Sequence, residues 1–270
     1  MEVLATDDPG VVLERAGALL TREPVLNNVM LTLLNARVAR SLPGRYWVVD
    51  TPDPAGVVFQ SPTTFPALVS SMTGDCINAA VEAIAGAAVS LPGVNGEAGT
   101  AARFAGAWTE ATKSSAVPDH GQRVYEVRQI VEPRGVPGRF RPATKDDESV
   151  LVEFTDAFIT AIGEPGDASE IVAHGLPLGH FWLWDDDGAV SVTALSEPTG
   201  GVVRVQNVYT PPSLRGRGYA SACVASLSAR ALGDGCRCIL YTDLANATSN
   251  SIYRSIGYRA VAEVLRYRFD

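Results

Sequence analysis

Between a β-branched stretch, Val202–Tyr209, and an apolar stretch of helical periodicity, residues 221–232, stands the run Leu214-Arg215-Gly216-Arg217-Gly218-Tyr219-Ala220. No other feature constrains the fold as much. The run marks a strand-to-helix junction, where glycines let the backbone approach a ligand and the first helix amides, lacking intrahelical partners, carry the positive end of the dipole. Such a junction is an anion site suited to a pyrophosphate. The dinucleotide fingerprint needs a third glycine where this run has Arg and Ala, and the Walker loop ends in Gly-Lys-Ser/Thr. Coenzyme A is the remaining common pyrophosphate ligand, and a glycine turn that binds nothing is the plainer alternative.

Arg215, Gly218 and Ala220 fill the fixed positions of a Q/R-x-x-G-x-G/A motif, and Asn246, Tyr253 and Gly257-Tyr258 follow in order. With these two blocks, the segment from Arg139 to Asp270 resembles the GCN5-related N-acetyltransferases (GNATs), nearest to the branch with FR47-like and glycine N-acyltransferase-like C-terminal domains. The resemblance implies an α/β fold, a mixed twisted sheet flanked by helices, and transfer of an acetyl group from acetyl-CoA to a primary amine by direct attack in a ternary complex. It also implies that the backbone around Val208, Tyr209 and Thr210 holds the pantetheine arm and polarises the thioester, and that the backbone from Arg215 through Gly216, Arg217, Gly218 and Tyr219 to Ala220 holds the pyrophosphate. Tyr253 would protonate the leaving thiolate; on spacing alone it could equally be a core tyrosine. Asn246 and Asn250 could bond the pantetheine or serve the start of a helix.

Composition narrows the partners. A net charge of -8 and a pI near 5.0 exclude the concentrated positive field that nucleic acid or a membrane surface requires, and point to small ligands. No apolar stretch is long enough to span a bilayer, and Met1-Glu2-Val3 lacks the basic start and apolar run of an export signal, so a cytoplasmic location is expected. Cys76, Cys223, Cys236 and Cys238 are then expected as thiols, and no metal is expected.

The 270 residues allow two units. In the C-terminal part, the patterns predict strand Arg139–Pro142, helix 146–162, a hairpin of 181–184 and Ala189–Leu195 around Asp185 to Gly188, strand Val202–Tyr209, helix 221–232, strand 237–242, helix 248–256 and strand 258–269. The N-terminal part echoes that order with helices 11–20 and 25–39, strands 46–50, 57–60 and 67–71, helices 75–89 and 97–113, and strand 123–131. This predicts a tandem arrangement: a degenerate GNAT-like copy in 1–135 and an acyl-CoA-binding copy in 136–270, joined by a linker at 133–138. The echo breaks at Met72-Thr73-Gly74-Asp75, where Asp75 would occupy the helix's positive end itself. The family's sheet ends in two strands after the Gly-aromatic pair and this chain shows one, so the 123–131 strand is expected to cover the last strand's edge.

The general base is the weak point. Strand Val202–Tyr209 carries Arg204, Gln206 and Asn207 where many members of the family carry a Glu. Glu197, Asp243 and His180 are candidates acting through water, each also readable as a solvated loop residue; His120 and His174 have no partner at a telling spacing. Trp182 and Trp184 alternate with Phe181 and Leu183, so one pair faces the core and the other can line an acceptor groove. The acceptor is expected to be a small amine or amino acid. A non-catalytic acyl-CoA-binding module is the alternative from another class, favoured by the missing strand carboxylate and opposed by Tyr253.

Overall fold

The computed structural model describes residues 1–40, 42–163 and 165–270. One element order, β-α-α-β-β-β-α-β-α-β, occurs twice along the chain. The first pass is β1 (Glu2–Thr6), α1 (Pro9–Arg22), α2 (Asn28–Ala39), β2 (Arg45–Asp50), β3 (Pro54–Gln60), β4 (Ala67–Val69), α3 (Gly74–Gly86), β5 (Gly93–Glu97), α4 (Ala98–Thr112) and β6 (Ala116–Val127). The second is β7 (Arg139–Pro142), α5 (Glu148–Ile162), α6 (Ala168–Gly175), β8 (Phe181–Asp185), β9 (Ala189–Leu195), β10 (Val202–Tyr209), α7 (Tyr219–Gly233), β11 (Arg237–Asp243), α8 (Ala247–Ser255) and β12 (Arg259–Phe269).

These elements form two compact units that interleave in sequence. Unit 1 holds Met1–Val124, Asp243–Ala245 and Val261–Asp270; unit 2 holds Tyr125–Thr242 and Asn246–Ala260. A single cut after residue 135 therefore does not trace their limits: β6 begins in unit 1 and ends in unit 2, and β12 does the reverse.

In unit 1 the strands run in the order β1-β2-β3-β4-β5-β12-β6. Neighbours from β1 to β4 are antiparallel, β4 and β5 are parallel, and β5 meets β12 antiparallel from Val264↔Glu97 to Arg268↔Gly93. The last strand thus has a neighbour on each edge, β5 and β6, and its backbone groups do not stand open. One apolar cluster joins Trp47, Val58, Val69, Ile77, Phe104 and Trp108; a second joins Val12, Leu20, Leu34, Tyr46 and Phe59.

Unit 2 repeats the antiparallel run β7-β8-β9-β10, sets β11 parallel to β10, and places β6 beyond β11. Val203, Val205, Cys238 and Leu240 share a cluster with Val224 and Leu227 of α7 and Tyr253 and Ile256 of α8; Leu151, Phe154, Val172, Phe181 and Leu183 form another on the α5 side. Trp184 packs with Tyr219 and Cys223, whereas Trp182 stacks on Phe140 at 4.9 Å under the Arg230 guanidinium. Arg141 ties β7 to the following helix through two 2.8 Å bonds to Asp147, and those bonds hold the Asp147 carboxyl down to about 2.

Three elements escaped the sequence patterns: β1, β5 and α6. β5 reads Gly-Val-Asn-Gly-Glu, a composition typical of turns. Its glycines are there for space, because a Cβ on Gly93 would lie 2.2 Å from the Tyr267 carbonyl oxygen and one on Gly96 2.6 Å from Val69. α6 is only 8 residues long and is capped by Asp167, whose side chain accepts from the Glu170 amide.

Candidate active site

The glycine run lies at the β10–α7 junction. Gly216 and Gly218 have φ of +79° and +85°, values that favour glycine. A Cβ at Gly216 would meet nothing within 4 Å, so the run's outer side is open. Gly218 is the N-cap of α7 and supplies no side-chain bond, and the first intrahelical bond runs from Ala222 N–H to Gly218 C=O. The amides of Tyr219, Ala220 and Ser221 are therefore unspent among the described residues, at the positive end of a 15-residue helix. Arg215 turns back and braces the run: its Nε donates to the Thr210 carbonyl at 2.9 Å and its guanidinium lies 5.8 Å from the Tyr209 ring centre. Arg217 is exposed. Tyr219 points inward, packs with Trp184 and Cys223 and donates its hydroxyl to Asp186, so only its main chain faces the junction.

Beside this junction the sheet opens. β10 and β11 pair from Val202↔Arg237 to Val205↔Leu240 and no further, although β10 continues to Tyr209 and β11 to Asp243. On its other edge β10 passes from Gln206↔Ala194 to Tyr209↔Val192, three steps against two, which is a β-bulge. Asn207 takes φ +51°, a conformation asparagine tolerates better than most side chains. The register leaves Asn207 and Val208 without a partner in either ladder. The Asn207 side chain pins the bulge by donating to Thr155 Oγ1 at 2.8 Å, while its buried Oδ1 has no partner. Thr210 donates to Ser191 Oγ at 2.9 Å, and Ser191 donates to the Tyr209 carbonyl at 3.0 Å, fixing the end of β10.

Residues 148–258 match the model of the acetyltransferase (GNAT) family. They are a GNAT-family domain. The whole chain is similar in fold to a GNAT-family acetyltransferase from Colwellia psychrerythraea, with 12% identity, TM-score 0.68 and 100% of both chains covered. It is also similar to a GCN5-related N-acetyltransferase from Sphaerobacter thermophilus, at 15% identity and TM-score 0.65 over 98% of this chain and 95% of that one. A third similar structure, a GCN5-related N-acetyltransferase from Kribbella flavida, has 17% identity and TM-score 0.57 over 88% and 93% of the two chains. No curated protein matches the sequence. Family and fold together support an acyl-CoA-dependent N-acyltransferase.

Within the GNAT domain, Tyr253 shares a cluster with Val205 and Leu240, the last paired rung before the strands part. Its ring lies 6.4 Å from Tyr125 and 6.0 Å, edge-on, from Tyr258. Burial pushes its phenol up to about 12, which keeps the proton on at neutral pH. Asn246 is the N-cap of α8, its side-chain oxygen accepting from the Ser249 amide at 2.9 Å. Asn250 is buried, donating to the Asn246 carbonyl at 2.8 Å and accepting from Tyr125 Oη at 3.0 Å. Both asparagines thus have a helix-start role, and Asn250 has its side-chain donor and acceptor engaged.

Of the base candidates, His180 lies 4.0 Å from Glu197, and burial lowers its pKa despite that carboxylate. Glu197 is 70% exposed. Asp243 stands 3.9 Å from His120 in unit 1. None of these contacts places a carboxylate on β10. All four cysteines are free, and burial raises the Cys223 and Cys238 thiols. Among the described residues no group of three or more His, Cys, Asp or Glu could hold a metal, and no helix is long and apolar enough to cross a membrane.

The bulge and the inward turn of Tyr219 were missed in the sequence. An Asn inside a β-branched strand was the available signal for the first. For the second there was none, because the partner Asp186 lies in a distant hairpin.

Proposed function

We propose that this protein transfers an acetyl group from acetyl-CoA to the primary amine of a small molecule or amino acid, by direct attack in a ternary complex. The observation that carries the reading is the coincidence of three features in unit 2: an uncapped α7 N-terminus, glycines at positive φ before it, and a parallel strand pair that parts beside it. The residues fit the nucleotide. The amides of 216–221 would hold the pyrophosphate, and Val208, Tyr209 and Thr210 would hold the pantetheine arm through their main chain. The unpaired main chain at Asn207 and Val208 would polarise the thioester carbonyl as the amine nitrogen bonds to it and the C–S bond breaks. Tyr253 then gives its proton to the departing thiolate and regains one from solvent, while the proton from nitrogen leaves to solvent. The expected setting is the cytoplasm.

Release of free thiol from acetyl-CoA in the presence of pooled amines tests this, with turnover as the expected result. A second reading, a non-catalytic acyl-CoA-binding module, is favoured by one observation: β10 offers Arg204, Gln206 and Asn207 and no carboxylate. Tight CoA binding without turnover over the whole amine pool would establish that reading instead.

A further inference from the structure

Arg204 stands on β10 where the resemblance leads one to look for a carboxylate. Val203 and Val205 face the cluster shared with α7, so Arg204 lies on the opposite face. That face is the α5 side of the sheet, because Gln206, two residues on and still before the bulge, lies opposite Ala194, which packs with Leu151 and Phe154 of α5. Across the ladder Arg204 is opposite Ile239, and Tyr241, two residues further, shares its face beyond the last paired rung. Burial lowers the Arg204 pKa and raises that of Tyr241, so the phenol on this face stays neutral. Gln206 Oε1 accepts from Arg204 Nη2 at 3.3 Å. A half-buried guanidinium, a phenol and an amide therefore border the strand opening on its α5 side.

A cation in that position has consequences for any amine that enters. A plain alkylammonium meets a like charge where water is partly excluded, whereas an amine that also carries a carboxylate brings Arg204 a planar partner for paired bonds. The same cation favours the neutral form of a nearby amine, which is the form that attacks, and so eases the lack of a strand carboxylate. We propose that Arg204, flanked by Tyr241, receives a carboxylate of the acceptor and thereby selects amino acids or other amines bearing an anionic group. This rests on the acyltransferase reading for its chemistry, but its binding can be measured without turnover.

The experiment is calorimetric titration of the CoA-loaded protein with glycine, L-alanine and L-serine and with their α-amides, with thiol release from acetyl-CoA read in parallel. The carboxylates should bind more tightly than the amides by on the order of ten- to a hundredfold. Arg204→Gln should level the two series with CoA affinity unchanged, and Arg204→Lys should restore part of the preference, since it returns the charge without the fork. Equal binding of the two series, absence of binding by all six, or a preference that survives Arg204→Gln would overturn the proposal. A carboxylate preference in binding without thiol release would strike the acyltransferase reading and leave the role of Arg204 standing.

Discussion

In unit 1, β4 leads through Met72 and Thr73 into α3; in unit 2, β10 leads through residues 210–218 into α7. The element order is the same and the closure is different. Thr73 caps α3 with its own hydroxyl on the Cys76 amide, and Asp75 sits in the first turn. The next junction is closed too, because Glu97 accepts from the Gly99 and Thr100 amides at 2.9 Å each at the start of α4. β4 ends at Val69, still paired with Gly96, so β4 does not run on past its ladder. At α7 the cap is a glycine with no side chain to offer, and β10 continues four residues beyond its last partner on β11. The same order of elements is thus compatible with a sealed junction or an open one. What differs is where each unit spends its helix-start amides.

The largest expected effect comes from closing the open junction. Gly218→Asp adds a negative charge at the helix start and a Cβ 3.0 Å from Val136 Cγ2, and it should weaken CoA binding at least about 100-fold in calorimetry. A thermal melt of the same variant should still show one folded transition. Retained affinity would break the comparison at its centre.

Tyr253→Phe should lower kcat by about 100-fold with little change in CoA affinity, since help from a general acid is felt in the transition state. Because the phenol is pushed up to about 12, deprotonation of Tyr253 should not reduce kcat between about pH 7 and 10. A fall in that range that disappears in Tyr253→Phe would contradict the pKa, and equal activity of the variant would return Tyr253 to the core alone.

Asn207→Ala should cost about 1–2 kcal/mol of stability, through the lost bond to Thr155 and the strain of alanine at φ +51°, and should also lower turnover. Asn207→Gly keeps the conformation and should retain more activity than the alanine variant. Steady-state kinetics beside urea unfolding distinguish the two contributions.

The smallest effect belongs to unit 1. Thr73→Gly and Glu97→Ala should each cost about 1 kcal/mol or less in urea unfolding and create no second CoA site, because the β4–β5 ladder stays closed. Burial opposes ionisation of Glu97, but the amides of Gly99 and Thr100 and the Thr100 hydroxyl outweigh it and hold the carboxyl below its usual range. The stability it adds is therefore complete above the ordinary carboxylate pKa of 4.5 and is lost as pH falls through the lower folded value. Glu97→Ala should remove that part of the acid dependence.

The sequence made the open junction legible because its signals are local: glycines, a β-branched strand before them and an apolar helix after them. The repeat of element order was legible through most of both units for the same reason. What it hid depends on neighbours distant in the chain. β5 is a strand because Gly93 and Gly96 let Tyr267 and Val69 come close, which no property of five residues announces. The inward turn of Tyr219 needs Asp186, and the placing of Arg204 and Tyr241 on one face of the sheet needs the β10–β11 register.

The central claim is that one strand-to-helix junction in this chain takes acyl-CoA and its counterpart does not. Calorimetric stoichiometry of CoA on the full chain tests it most directly. The account predicts one CoA per chain in the native protein and none in Gly218→Asp at the same protein concentration. Two per chain, or one per chain that persists in Gly218→Asp, would show that the ligand is held elsewhere.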